Sequence, residues 1–489
     1  HIVCVASRAL GAAPARVVCS DQSDSAQALM PYMTRGLPME SLGAAEIHAQ
    51  VMAEPFRRRY GSQLALIRTV GVPFALRELE VDSPKFDRAL RDVLYGLADE
   101  ITALAYDVDR LDLDVGLEPS NDTVFVKTSF GLIGKRSWWA QMAAGAADHQ
   151  GVAPEAFFKL PGDATSGSFS TYSDPDRIRG VAIALRELLD GWLDYQGLSQ
   201  GRRTPLVDAF EQAMTTGTKS AYVTLPVPPP SGPVGHGERE QVRLALGAHV
   251  VVVDQGGDKF VRLVSELTKA LGDAKFRDHL AKSKLLSGVK LPAARERAPK
   301  AVKGLPAGSK VFEVEVPASA FSEVDGLAKM IGEPALAGPK KDAKAKPPKA
   351  KGQPLTVLIV AVPDGALTWF AFGTDEKLLE TRLVEARAGT GETLGKRDGL
   401  AALHTDTVVS GGFSSLGALL SQLGSKFTDG KAGADPGALA RLPHRGQTPM
   451  LWRATADAHG PKLSAAMQIP KAVVEDIVAF AASQAASRP

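Results

Sequence analysis

The chain has 489 residues, which is too long for one hydrophobic core and predicts two or three domains. Apolar residues make up 44% and charged residues 23%, as in an ordinary globular protein, and the net charge is only +2. A nucleic-acid binder usually carries a clear basic excess, so this balance argues against that class.

The two cysteines, Cys4 and Cys19, lie near the first residue of the chain. They are too few for a structural zinc site, but they could form one disulfide. A chain otherwise free of thiols fits an exported bacterial protein, although a cytosolic protein could have the same composition. We therefore expect a periplasmic or extracellular location, with any export signal preceding His1, and no transmembrane span.

In the first half, residues 1–38 lack periodicity, and a helix is predicted over 40–66. A strand over 74–81 and a helix over 84–105 with Ser83 as its N-cap follow. Strands over 110–117 and 123–128 form a hairpin, and leucines alternate with aspartates in the first of them. This alternation predicts that the aspartates form its solvent face. The later predicted elements are a helix from Ser137, strand 166–172, helix 174–195, strands 221–227 and 250–253, and helix 259–271.

The second half begins with a strand predicted over 310–316 and a helix marked by Phe321 and Met330. A Lys- and Pro-rich insert spans 334–354, for which a solvated linker is the simplest interpretation and contact with an acidic polymer or membrane surface the alternative. Strands over 355–362 and 367–372 form a hairpin around a Pro-Asp-Gly turn. A helix over 374–388 follows.

Four phrases recur in the same order in both halves, which indicates an internal duplication. A phenylalanine follows the strand end at Val81 and at Val316 by five residues, at Phe86 and Phe321. The other matches are 160–170 with 403–414, 219–223 with 448–452, and 259–264 with 471–476.

The predicted fold class is therefore α+β: a tandem duplication of a mixed, largely antiparallel sheet unit, ordered strand-helix-hairpin-helix, with helices packed on the sheets. The predicted division is an N-terminal lead-in and helix over 1–67, a first repeat over 68–282, a linker over 283–304 and a second repeat over 305–489. The repeated order, with phrases such as Phe372-Gly373-Thr374-Asp375, resembles envelope proteins of Gram-negative bacteria in style without matching a diagnostic motif.

Two segments imitate ligand-binding motifs. Residues 129–137 lie between a strand and a helix like a phosphate-binding loop, but Ser129 replaces its first glycine and Arg136 replaces its hydroxyl residue. Five acidic residues between Asp107 and Glu118 suggest a calcium loop, but its fifth and sixth positions hold Leu111 and Asp112 where an oxygen ligand and a glycine are needed. An ordinary turn and the polar side of a strand are the preferred interpretations, so neither a metal nor another cofactor is predicted.

The sequence contains no catalytic motif. The histidines are scattered, no G-x-S-x-G segment is present, and the serine-rich turns at 166–168 and 410–412 recur in both halves. A duplicated catalytic serine would normally be lost from one copy, so the turns are interpreted as structural. We predict no catalytic residues.

The candidate contact site for a ligand or partner consists of Trp138, Trp139, Lys135 and Arg136. Neighbouring helical positions diverge by about 100°, so the two indoles cannot both face one core. A half-exposed tryptophan beside two cations could contact a partner or an anion, whereas packing against the sheet edge is the structural alternative.

The sequence thus favours a non-catalytic, extracytoplasmic binding or assembly protein of the bacterial cell envelope. Its expected partner is another protein or a second copy of the chain, with a lipid or anionic polymer as a further possibility. A carrier of a lipid or other apolar ligand and a degenerate or unusual hydrolase are the alternative functions.

Overall fold

The computed structural model describes residues 3–7, 16–20, 45–79, 82–118, 122–226, 246–281, 291–297, 305–317, 354–420, 439–457 and 462–486, with a few single positions. The helix predicted around Phe321 and Met330 and the Lys- and Pro-rich insert up to position 353 lie outside the described residues. The strands are β1 (Val3–Ser7), β2 (Arg16–Ser20), β3 (Ile47–Met52), β4 (Val108–Glu118), β5 (Thr123–Leu132), β6 (Ser166–Ser170), β7 (Ser220–Leu225), β8 (Ala248–Asp254), β9 (Ala293–Arg297), β10 (Lys310–Val316), β11 (Leu355–Asp364), β12 (Leu367–Gly373), β13 (Ser410–Ser415), β14 (Pro449–Asp457) and β15 (Lys462–Pro470).

The helices precede, follow or connect these strands. They are α1 (Ala53–Leu66), α2 (Val72–Leu79), α3 (Pro84–Asp107), α4 (Trp138–Ala147), α5 (Glu155–Lys159), α6 (Pro175–Tyr195), α7 (Gln200–Met214), α8 (Gly257–Gly272), α9 (Ala274–Ala281), α10 (Glu376–Ala388) and α11 (Lys471–Ala486). A π-helical turn, Ile67–Gly71, connects α1 to α2. Within the described residues, no helix is long and apolar enough to cross a bilayer.

Thirteen strands form one antiparallel sheet, so the α+β class is confirmed. Its strand order is β3-β4-β5-β15-β14-β13-β6-β7-β8-β12-β11-β10-β9. The strands on both sides of the predicted linker therefore interleave, because β5 pairs with β15 and β12 pairs with β8. Strands β1 and β2 form a separate pair.

The main core lies on one face of the sheet, which we call the core face. It carries Trp369 and Phe413, each 1% exposed, and α10 packs against it through Leu379 and Leu383. Phe157 of α5 belongs to the same cluster. Each buried side chain of this size contributes about 1.5–3 kcal/mol, so this layer dominates the stability of the described fold.

The opposite face, which we call the second face, can be followed across the sheet because residues paired directly across antiparallel strands point the same way. In strand order from β12 to β3 it carries Phe370, Val251, Tyr222, Ser168, Gly412, Trp452, Met467, Val126, Val115 and Ile47. On its β8–β12 side α8 covers this face, and Phe260 and Val261 pack against Val253, Ala361 and Phe370.

Arg397 connects segments from both halves of the chain beside the core. Its guanidinium donates hydrogen bonds to the backbone oxygens of Gly162 (3.1 Å) and Ala164, and another to that of Gln447 (3.0 Å). It also lies 4.7 Å from the centre of the Phe413 ring. Burial lowers the pKa of Arg397 below its usual value.

Two sequence predictions are wrong for the segment between residues 40 and 81. Residues predicted as a strand over 74–81 form helix α2 up to Leu79, so the first of the four repeated phrases loses its structural basis. The predicted helix over 40–66 is a strand over Ile47–Met52 before it becomes α1. Helix α3 begins as predicted, with the Ser83 hydroxyl accepting from the Phe86 amide.

Cys4 is disulfide-bonded. Its register partner in the β1–β2 pair is Cys19, the other cysteine of the chain. The disulfide that the sequence left open is therefore present.

Candidate functional site

The turn over 129–137 places the first amides of α4 against the carboxylates of the chain itself. Asp107, only 1% exposed, accepts from the Ser137 amide at 2.6 Å. Glu100 accepts from the amides of Trp138 (3.0 Å) and Trp139 (3.3 Å). These carboxylates occupy the positions that a phosphate would need, so the imitation of a phosphate-binding loop has a structural explanation.

Trp138 and Trp139 meet edge to face, with ring centres 5.3 Å apart. Trp138 is half-buried, and its indole N–H donates to the backbone oxygen of Arg177 at 3.1 Å, which attaches α4 to α6. Trp139 is 46% exposed. The two indoles therefore touch each other but differ in exposure, and Trp139 is the one available for contact.

Lys135 and Arg136 are both exposed in the turn that precedes α4. The Lys135 carbonyl accepts from the Gln141 side chain at 3.2 Å, which holds the turn against the helix. The four residues of the predicted contact site thus lie in one short segment, with two cations and one exposed indole facing solvent.

The first turn of α6 fixes the position of α4. Asp174 caps α6 by accepting from the Arg177 amide at 3.2 Å, and it also accepts from the Tyr172 hydroxyl at 3.0 Å. Burial and the hydrogen bond to Asp174 raise the pKa of Tyr172 to about 12. Tyr172 packs so closely on α4 that a Cβ at Gly145 would lie 2.5 Å from its hydroxyl oxygen.

Strand β4 has the opposite exposure from the one its sequence predicts. Leu117 is 57% exposed, whereas Asp112 is only 8% exposed. Asp112 accepts from the Gln50 side chain at 2.9 Å and lies 3.4 Å from the Arg110 guanidinium. The prediction that the aspartates form the solvent face of β4 is therefore wrong for Asp112.

The exposed leucines belong to a continuous group on the second face, which we call the apolar patch. The register places Leu111 between Val51 and Phe130, Leu113 beside Ala49, and Leu117 beside Val124. The patch consists of Ile47, Val51, Leu111, Leu113, Leu117 and Phe130, each more than a third exposed. The sequence reveals the apolar alternation but not which side of the strand is covered, because that depends on elements far away in the chain.

The core-face side of β3 and β4 is polar. His48 lies 2.6 Å from Asp114, and Lys127 of β5 is the register partner of Asp114. Within the described part of the chain, no group of three or more His, Cys, Asp or Glu side chains is arranged to hold a metal ion.

No family model, curated protein or solved structure matches this chain.

Proposed function

We propose that this chain is a non-catalytic binding or assembly protein whose apolar patch is covered by an α-helix of a protein partner. The observation that carries the proposal is that the leucines of β4 are exposed to water whereas Asp112 of the same strand is buried. Contiguous apolar surface of this kind is uncommon on a monomer and marks interaction sites.

The other end of the same sheet face supports a helix as the occupant. On the same second face, α8 covers β12 and β8 with Phe260 and Val261, whereas no helix of the described part of the chain covers the exposed side chains of β3–β5 in this way. An amphipathic helix that places its apolar residues in a sheet-side groove would bury this patch in the same way.

The predicted contact site extends this surface. Exposed apolar residues continue along the chain from Phe130 on β5 through Ile133 to Trp139 on α4. The exposed cations Lys135 and Arg136 lie within the same segment. A polar rim beside an aromatic contact residue is typical of protein interfaces, and the cations would favour a partner with acidic residues at that end.

An extracytoplasmic location in the bacterial cell envelope is part of the proposal. It is supported by the disulfide at Cys4, because disulfides persist mainly in oxidising compartments.

The internal duplication is also part of the proposal, and the strand order supports it. Outward from the β6–β13 pair, β6-β7-β8-β12-β11-β10 on one side corresponds to β13-β14-β15-β5-β4-β3 on the other. Three of the repeated phrases fall at corresponding elements, namely β6 with β13, β7 with β14, and α8 with α11. The lipid-carrier and hydrolase alternatives stay predictions without specific structural support.

Site-specific photo-crosslinking in cells of the source organism tests the proposal. A photoreactive amino acid replaces Leu113 in the patch, and a matched control replaces Ile183, which is similarly exposed on α6. We expect a crosslink from position 113 to an apolar helical segment of one partner protein, and little from position 183. The additional substitution Phe130→Arg should lower the yield about tenfold, since it places a charge within the buried contact.

Three results would count against a helical protein partner. Crosslinks to a second copy of this chain would replace the partner with self-association, and crosslinks to lipid would favour the carrier alternative. Equal yields at positions 113 and 183 would remove the apolar patch as a binding site.

A further inference from the structure

The first two helices of the chain expose a second group of apolar side chains. Helix α1, the π-helical turn and α2 follow one another without a break from Ala53 to Leu79, which gives a helical segment about 40 Å long. Within it, Leu66, Val70 and Phe74 recur at every fourth residue, and each is more than half exposed. We call these three residues the helical stripe.

The opposite side of the segment packs into the protein. Val72 and Leu76 are buried in a cluster with Ala98 of α3, and the residues of the helical stripe take no part in this cluster. Arg57 attaches α1 to the start of β4, because its guanidinium donates to the backbone oxygen of Val108. The segment is therefore held by its inner side, and the fold does not require apolar residues on its outer side.

The charges of the segment are mainly positive. It contains five arginines and two glutamates. Arg58 and Arg68 form ion pairs with carboxylates. Arg59 and Arg77 are exposed and form no ion pair with the described residues, although the Arg59 guanidinium lies 5.6 Å from the centre of the Tyr60 ring. Both ends of the helical stripe are thus accompanied by a cation that is open to an external anion.

A cleft and two aromatic rings lie at the α1 end of the segment. The cleft has a volume of about 440 Å³ and is lined by Glu54, Pro55, Arg58 and Arg59. The exposed rings of Phe56 and Tyr60 stack beside it, with centres 6.4 Å apart. Aromatic rings of this kind are favoured at the headgroup level of a bilayer, and arginine forks match phosphate geometry.

We propose that the outer side of α1 and α2 binds the surface of a bilayer that contains anionic lipids. The segment lies parallel to the bilayer, and the helical stripe enters the boundary between headgroups and acyl chains. Arg59 and Arg77 contact the lipid phosphates. The excess of arginines favours this occupant over a neutral apolar partner, since apolar residues combined with surplus cations are typical of interfacial helices. The proposal does not depend on the apolar patch.

Co-sedimentation of the full chain with lipid vesicles tests the proposal. We expect binding to vesicles of phosphatidylglycerol and phosphatidylethanolamine, little binding to vesicles of phosphatidylcholine alone, and weaker binding as the salt concentration rises. Phe74→Ser should weaken binding to the anionic vesicles about tenfold, because it removes the largest apolar side chain of the helical stripe. Arg59→Gln and Arg77→Gln should each weaken it about fivefold, the effect expected for one arginine near a charged surface.

The matched controls are Ile183→Ser and Arg179→Gln, since both residues are exposed on α6. These two variants should bind the anionic vesicles like the wild type. Phe74→Ser should keep the wild-type melting temperature, because the ring is exposed, and a clear decrease would show that the ring serves the fold instead.

Three further results would overturn the proposal. The first is the absence of co-sedimentation with the anionic vesicles, and the second is equal binding to both kinds of vesicle. The third is equal binding by Phe74→Ser and Ile183→Ser. If Phe74→Ser leaves vesicle binding unchanged but converts a dimer into a monomer in size-exclusion chromatography, the outer side of α1 and α2 is an interface between two copies of this chain.

Discussion

Trp138 and Trp139 are adjacent in the chain, but they are expected to serve different purposes. Trp138→Phe removes the hydrogen bond to the Arg177 oxygen and part of a half-buried ring, so the free energy of unfolding should fall by about 1–2 kcal/mol. Trp139→Ala removes an exposed ring and should cost less than about 1 kcal/mol. Urea denaturation followed by circular dichroism measures both changes.

The same two variants separate stability from contact. If the proposed interface includes the predicted contact site, Trp139→Ala lowers the crosslinking yield at Leu113 while Trp138→Phe retains it. A larger stability loss for Trp139→Ala than for Trp138→Phe would contradict the assignment of these roles.

Asp112 shows what residue types alone cannot specify. Alternation with leucines identifies β4 as a strand, because successive side chains point to opposite faces. Which face is covered depends on partners such as Gln50, on a strand that the sequence does not predict. The predicted contact site has the same limit: the adjacent tryptophans are visible in sequence, but the carboxylates of Asp107 and Glu100 at the α4 amides are not.

At the scale of secondary-structure elements, capping and turn signals are the reliable guides. The Ser83 cap before α3 and the β11–β12 hairpin both lie where the sequence predicts them, but Pro363 and Asp364 pair within β11 and the turn itself consists of Gly365 and Ala366. Helix α2 is missed because Phe74 and Leu76 imitate strand alternation. The structure instead buries Val72 and Leu76, four residues apart, and leaves Phe74 64% exposed.

Asp190 joins three helices, because Lys85 of α3 and Arg203 of α7 both form ion pairs with it on α6. Partial burial by itself raises the pKa of Asp190, but the hydrogen bonds and charges of Lys85 and Arg203 outweigh burial and hold it below its usual value. Asp190→Asn should therefore lower the free energy of unfolding at pH 7 by about 1–3 kcal/mol.

The difference in the free energy of unfolding between wild type and Asp190→Asn should become smaller as the pH falls. Because the folded pKa lies below the unfolded value of about 3.9, the ionised Asp190 stabilises the fold fully above that value. Its contribution is lost as the pH falls through the folded pKa. Urea denaturation at pH 7 and at pH 3 measures this loss; Asp176→Asn, which removes an 83% exposed carboxylate, should show little change. A difference that grows on acidification would contradict the assignment.

At the scale of the whole molecule, the order of strands is what the sequence could not provide. Hairpins such as β4–β5 and β11–β12 are local and were predictable, whereas β5 pairs with β15 through residues such as Val126 and Met467, more than 300 positions apart. The predicted division at 283–304 passes through a sheet to which both parts contribute non-consecutive strands. That boundary stays a prediction about ancestry, and it does not by itself imply two units that fold separately.

This interleaving leads to a prediction about chain fragments. If the chain is divided between Ala281 and Leu291, β5, β6 and β8 in the first fragment each lose one of their two partner strands, and so do β15, β13 and β12 in the second. Each fragment alone should therefore lack a cooperative thermal transition, because several strand edges and the core around Trp369 and Phe413 would be exposed. When both are mixed, they should form a one-to-one complex with the circular dichroism spectrum of the intact chain. Two fragments that each melt cooperatively and do not associate would instead show that the halves fold independently, since a shared sheet cannot persist without both contributors.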